Sequence, residues 1–197
     1  MTAPVSDGDA EPAPAPAVRL VRGDFAVADL DAFLADLDGV AEETGAVVQA
    51  FDADLVVSAT QLREAARLAA RAIARGEAVA RDPGVEILLY AAGSRQIDRA
   101  LELGVAEGER AAVVLVSDFG DVSGADRPPA DLDEAVEGVR GLAVGSAGII
   151  DGDDLNGAFD ADRVREFYGV TDRELAATTG DLADVVRERV TLLDVEK

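Results

Sequence analysis

The chain of 197 residues has no histidine, no cysteine and no tryptophan, and its single lysine is the last residue, Lys197. Each absence removes a class of chemistry. Without cysteine there is no disulfide, no thiolate nucleophile and no zinc ribbon, and without histidine the commonest general base and metal ligand is missing. A Schiff-base or P-loop lysine could come only from the C-terminus, where no such motif sits. No apolar run approaches the ~20 residues of a membrane span. The N-terminus also lacks the basic segment and apolar stretch of a secretory signal. The expectation is a soluble, cytoplasmic protein that holds no cofactor and no metal.

What the chain has in excess is acid. It carries 40 Asp and Glu against 18 Lys and Arg, a formal charge of −22. The acids are spread along the whole sequence rather than gathered in one tail, and all bases but one are arginine. A dispersed acidic surface with almost no lysine is the pattern of a protein adapted to a high-salt cytoplasm, such as halophilic archaea maintain. At about 1 M salt the Debye length is only roughly 3 Å, so repulsion of a polyanion by the net charge is largely screened. The acidity therefore does not exclude nucleic acid as a partner.

Residues 1–17 (MTAPVSDGDAEPAPAPA) are rich in Pro, Ala and acid, without periodicity, and are expected to be a disordered tail. From Val18 the alternation VRLVRGDF predicts a strand. Asp29 to Thr44 has helical spacing and stops at Gly45, and AVVQAFD (46–52) is a second strand. Ser58 is placed to cap a long helix ending at Arg75-Gly76, and Pro83 to open a helix carrying VEILLYAA (85–92) to Gly93. Ser94 is expected to cap a further helix closed by Gly104. AAVVLVS (111–117) is the most apolar strand, and Leu142 to Ile150 is expected to supply a fourth. Helices are also expected at 131–139, 162–168, 172–177 and 181–193, with polar loops over 118–130 and 151–160. The fold class is a mixed α/β single domain over 18–197, a small three- to four-stranded sheet covered by six to seven helices. Because 38 residues are alanine, its core should be built with many small side chains.

The charge is not uniform. Gln61 to Leu101 holds seven arginines against five acids and is net +2, which leaves −24 on the rest of the chain. Arg63, Arg67, Arg71 and Arg75 recur every four residues on one helix. Each step turns ~400°, so the four guanidinia form a slowly drifting ridge. That ridge fits phosphate binding by planar arginine forks. It also fits a ridge that pairs with acids on neighbouring elements, or one whose stems cover apolar surface. The break GSRQI (93–97) puts Arg95 and Gln96 in the first turn of a helix, where free N–H groups also suit an anion, or forms a plain interhelical turn.

Two apparent motifs fail. Asp118-Phe119-Gly120 spells the kinase DFG, but no glycine-rich loop, strand lysine or HRD accompanies it. Asp151, Asp153 and Asp154 suggest a calcium loop, yet Leu155 stands at its fifth position and no glycine at its sixth.

The stretch from Phe51 to Val105, and within it Arg75-Gly76, EILLYAAGSRQI (86–97) and Ala100-Leu101, resembles the kinase-binding subunit of the KEOPS complex, the PRPK-binding protein family. The likeness continues through AVVLVSD (112–118) and the helices FYGVTDRELAATTG and LADVVRERVTLLDV. The resemblance implies a non-catalytic protein that binds the small atypical kinase of that complex directly, and the rest of the complex through it. The complex installs threonylcarbamoyl on the adenosine beside the tRNA anticodon, and the kinase-binding subunit grips tRNA at its 3′ CCA end. On that resemblance Arg63, Arg67, Arg71, Arg75 and Arg95 are expected to contact tRNA. Gln96, Ile97 and the apolar edge around Leu103 are expected to meet the kinase. The acidic tail, the loops 118–130 and 151–160 and the missing lysines depart from the family pattern, so tRNA affinity should rest on short arginine forks and base stacking.

Two other readings remain open. One is a small Asp/Glu- and Mg-dependent hydrolase or transferase, marked by carboxylates converging in a pocket. The other is an acidic scaffold module, marked by an arginine ridge fully paired with the chain's own acids.

Overall fold

Alternating apolar residues on three long segments build the centre of the molecule, a four-stranded sheet with strand order β2-β3-β1-β4 and antiparallel neighbours throughout. The strands are β1 (Val18–Val27), β2 (Val47–Asp52), β3 (Gly108–Ser117) and β4 (Gly148–Ile149). In this computed structural model, residues 15–153, 155 and 159–194 are described. Residues 1–14 of the expected tail, and 154 and 156–158 of the second polar loop, lie outside them. Both β1 and β2 run antiparallel to β3, which lies between them, so α1 (Leu30–Thr44) bridges two parallel strands.

Period-two alternation separates two cores. Leu20, Phe51, Val113 and Leu115 face one side, while Val21, Ala50, Val114 and Val116 face the other. On the second side lie α1 and α5 (Leu132–Gly141), packed through Phe33, Leu37, Ala135 and Val139. On the first side α2 (Ala59–Ala74), α3 (Pro83–Ala91), α6 (Ala161–Tyr168) and α8 (Leu182–Leu192) form the larger core. Two short helices complete the described elements, α4 (Ile97–Leu101) and α7 (Asp172–Ala177). The buried face of α2 is mainly alanine, as the composition implied, and small side chains let α2 lie close to α3 and α8.

Helix ends are set by local chemistry. Asp29, Ser58, Asp82, Asp131, Asp160, Thr171 and Asp181 each accept a backbone N–H from the first turn of the helix that follows. Both α2 and α3 end in Schellman motifs. Gly76 (φ 68°) and Gly93 (φ 59°) take the left-handed conformation. The next residues, Glu77 and Ser94, donate back to the carbonyls of Ala72 and Leu89.

Two expected elements come out shorter. The helix expected from Ser94 to Gly104 spans only Ile97–Leu101. Ser94 Oγ accepts from Gln96 N in a turn, and the N-cap residue Gln96 makes no side-chain cap. The strand expected over 142–150 is reduced to Gly148–Ile149, because Leu142 and Ala143 extend the end of α5 as a turn and Val144 bonds back to Asp24. No described helix is long and apolar enough to cross a membrane.

Candidate functional site

The four ridge arginines share the outer face of α2, because Leu62, Ala65, Ala66, Ala69, Ala70 and their buried neighbours occupy the inner one. What each guanidinium reaches differs along the helix. Arg63 donates to the carbonyls of Gly152 (2.8 Å) and Ile150 (3.2 Å), anchoring the loop after β4. Arg67 forms a two-pronged pair with Glu64, one turn back, at 2.9 and 2.6 Å. That bond holds the Glu64 carboxyl below its ordinary range against the opposing effect of burial. Arg71 pairs with Asp194, just beyond the end of α8, and its Nε–H is buried without a hydrogen-bond partner. Arg75 is the C-cap residue of α2, exposed, and among the described residues its side chain has no ion pair. Arg95, after the α3 turn, donates to the carbonyl of Leu193 at 2.8 Å.

The structure thus brings Arg71 and Arg95 together on the C-terminal end of α8, where cations are favoured by the helix dipole. Arg63 sits at the opposite end of the ridge, and Arg67 and Arg75 are the outward-facing members. Two of the four ridge arginines have an acid as partner, one holds main-chain carbonyls, and Arg75 has neither. Arg81 belongs to the same basic island, is exposed and has no ion pair among the described residues. The charge count marked it, although its spacing excluded it from the ridge.

At the start of α2 the loop acid Asp153 supplements the Ser58 cap. Its carboxylate accepts Thr60 N at 2.7 Å and its carbonyl accepts Ala59 N. Burial pushes this carboxyl up, but the Thr60 bonds and the nearby Arg187 and Arg63 charges outweigh it and hold it below its usual range.

On the far side of α3, Gln96 and Ile97 are exposed, Ile97 to 44%. Leu103 is not. It lies beyond α4, is 0% exposed and packs in the main core, because its carbonyl accepts Asp52 N and so pins this turn to the end of β2. The apolar edge expected around Leu103 is made instead by Ile97 and by Leu101, which is 55% exposed. Leu101 also lines a groove of about 360 Å³ with Leu34, Leu37, Val48, Val85 and Leu88, beside the outer edge of β2.

The residues that carry the family likeness hold the fold. Glu86 is 1% exposed, and its Oε2 accepts the N–H groups of Val79 (3.0 Å) and Ala80 (2.8 Å), fixing the loop between α2 and α3. Gly93 is required twice over, since a Cβ there would come within 3.3 Å of the Arg189 Cβ. Asp118 and Phe119 of the DFG-like triplet are likewise structural. Asp118 accepts the N–H groups of Gly120 and Ala130, and Phe119 is a core residue. Among the described residues no group of three or more acids is arranged to hold a metal ion.

A family model described as kinase binding protein CGI-121 matches residues 32–194, from the first turn of α1 to just beyond α8. No curated protein matches the chain.

Proposed function

The chain belongs to the CGI-121 family of kinase-binding proteins, and from that premise we propose that it is a non-catalytic accessory subunit of KEOPS, binding the complex's small atypical kinase and the 3′ end of tRNA. The family match over residues 32–194 carries this reading, since it takes in the described helices from the first turn of α1 to α8 and the whole of the basic island.

The kinase docks on the surface of Gln96, Ile97 and Leu101. These are exposed side chains on a short helix, next to an apolar groove that a partner side chain can fill. tRNA lies along the ridge of Arg63, Arg67, Arg71, Arg75 and Arg95. Arg75 and Arg67 carry the largest share. The first has no competing ion pair among the described residues, and the second, its own side chain 42% exposed, has to exchange only a partner on its own helix. Arg63 and Arg95 contribute less, because each guanidinium already bonds main-chain carbonyls.

The test is reconstitution with the cognate kinase at working salt. The two proteins co-elute in size-exclusion chromatography, and the pair retains tRNA that the kinase alone does not. Separate elution of the two proteins at every salt concentration overturns the proposal.

A further inference from the structure

We propose that Asp194 is a tethered anion that occupies Arg71, beside Arg95, and holds down the affinity of the α2 ridge for polyanions. This rests on the reading that the ridge receives tRNA phosphates, and it concerns access to that site.

Arg71 and Arg95 come from different elements, one on α2 and one after α3, yet both end on consecutive residues past α8. Arg71 takes the Asp194 carboxylate and Arg95 takes the Leu193 carbonyl. Tyr90 OH donates to the same carboxylate at 3.4 Å. The Asp194 side chain is only 7% exposed, whereas Glu102, Glu137 and Asp172, which also pair with arginines, are 57, 71 and 91% exposed. Water weakens those exposed pairs, but the Asp194 pair is shielded.

Arg71 keeps a further signature of an anion site. Its Nε–H is buried and unpartnered, so the aspartate leaves one donor of the fork unused. A phosphate, with three non-bridging oxygens and more charge, can take Nε and Nη together. Exchange of one anion for another on the same guanidinium is then a competition. While the end of α8 is strapped down, the apparent affinity for phosphate is multiplied by the fraction of molecules in which Arg71 is open, and so is reduced.

Binding of bulk tRNA and of inorganic polyphosphate is measured at fixed salt for the wild type, D194N, D194N/R71Q and D172N. The last removes the same unit of charge from the Arg165 pair, away from the ridge. D194N is expected to bind both probes about 3- to 10-fold more tightly. The slope of log affinity against log salt should steepen by roughly 0.7–0.9, one additional phosphate contact. D172N should leave both unchanged, and R71Q should erase the gain. If D194N tightens polyphosphate while neither protein holds tRNA, the anion strap stands and the tRNA reading fails. If the wild type holds tRNA but D194N leaves both affinities unchanged or weaker, Asp194 is a structural brace and the strap is overturned. An equal gain in D172N overturns it too, since bulk charge then accounts for the effect.

Discussion

The side-chain amide of Gln61 donates to the hydroxyl of Tyr168 at 2.6 Å, and both residues are buried. The same amide nitrogen donates to Ala91 O (3.1 Å), Gln61 Oε1 accepts Val57 N (2.9 Å), and Tyr168 OH donates to Ala91 O (2.9 Å). One closed network therefore joins the start of α2, the end of α3 and α6. Burial pushes the Tyr168 phenol above its ordinary pKa, which keeps it a neutral donor. Y168F removes one donor and one acceptor but leaves the amide other partners, and should cost about 1 kcal/mol. Q61A strands the Val57 N–H and opens a cavity, and should cost about 2–4 kcal/mol. Urea unfolding at constant salt measures both, and equal costs would refute the network's hierarchy.

Gly76 and Gly93 close the two Schellman motifs with the same left-handed backbone but different surroundings. Nothing lies within 4 Å of a Cβ at Gly76, whereas one at Gly93 meets Arg189 Cβ at 3.3 Å and its backbone at 3.5 Å. G76A should cost about 1 kcal/mol, the strain of positive φ alone, and G76N less, because asparagine tolerates that region. G93A should cost more than G76A, with no rescue by asparagine. Thermal melts of the four variants decide it, and a G93A cost at or below that of G76A would sink the packing argument.

Features written in short spacings were legible in the sequence. Asp29, Ser58 and Pro83 announced helix starts, Gly45, Gly76 and Gly93 announced stops, alternation found β1, and apolar runs found β2 and β3. The shortened α4 was not legible, since Ser94 Oγ closes a turn on Gln96 N where a helix start was expected. Arg99, within α4, packs over the Phe167 ring at 4.4 Å, a contact that exists only once α6 is in place. The same holds for the ridge. Spacing put four arginines on one face, but Arg63 ends on a carbonyl 89 residues away and Arg95 on one 98 residues away. Periodicity cannot report such partners. Leu103 shows the limit from the other side, because an apolar residue after a helix has the same letter whether it faces a partner or the core.

Asp153 and Glu64 both have carboxyl pKa values lowered in the folded state. Such groups contribute stability above their unfolded pKa, near 4, and that contribution is lost as pH falls through the lower folded value. D153N keeps an acceptor for Thr60 N but removes the charge at the start of α2. It should destabilise by about 0.3–1 kcal/mol at pH 7, the worth of a carboxylate at an exposed helix N-terminus. The gap from the wild type should shrink below pH 4. Urea unfolding at pH 7 and pH 3 checks this, and a gap independent of pH would show that the charge is not what Asp153 contributes.

The exposed edge and the buried residue beside it should respond in opposite ways. I97D and L101D place charge where side chains are 44 and 55% exposed, so melting temperatures should move little while kinase co-elution is lost. L103A empties a fully buried site and should cost about 2–5 kcal/mol, with kinase binding retained wherever the protein is still folded. Retention of the kinase by both I97D and L101D would move the interface off α4.

Arg67 and Arg75 make the sharpest test of the ridge, because neither reaches across the fold. Arg67 bonds only the adjacent turn, and Arg75 has no ion pair among the described residues. The double variant R67E/R75E should keep its melting temperature within a degree or two and still co-elute with the kinase. It should lose tRNA affinity by at least about tenfold, and the salt slope should fall by roughly 1.4–1.8, two phosphate contacts. R63E is the counterpart. It frees the Gly152 and Ile150 carbonyls and places a carboxylate near Asp153, so stability should fall before tRNA affinity does. If R67E/R75E retains tRNA with an unchanged salt slope, the outer face of α2 is a solvated surface and the nucleic acid binds elsewhere.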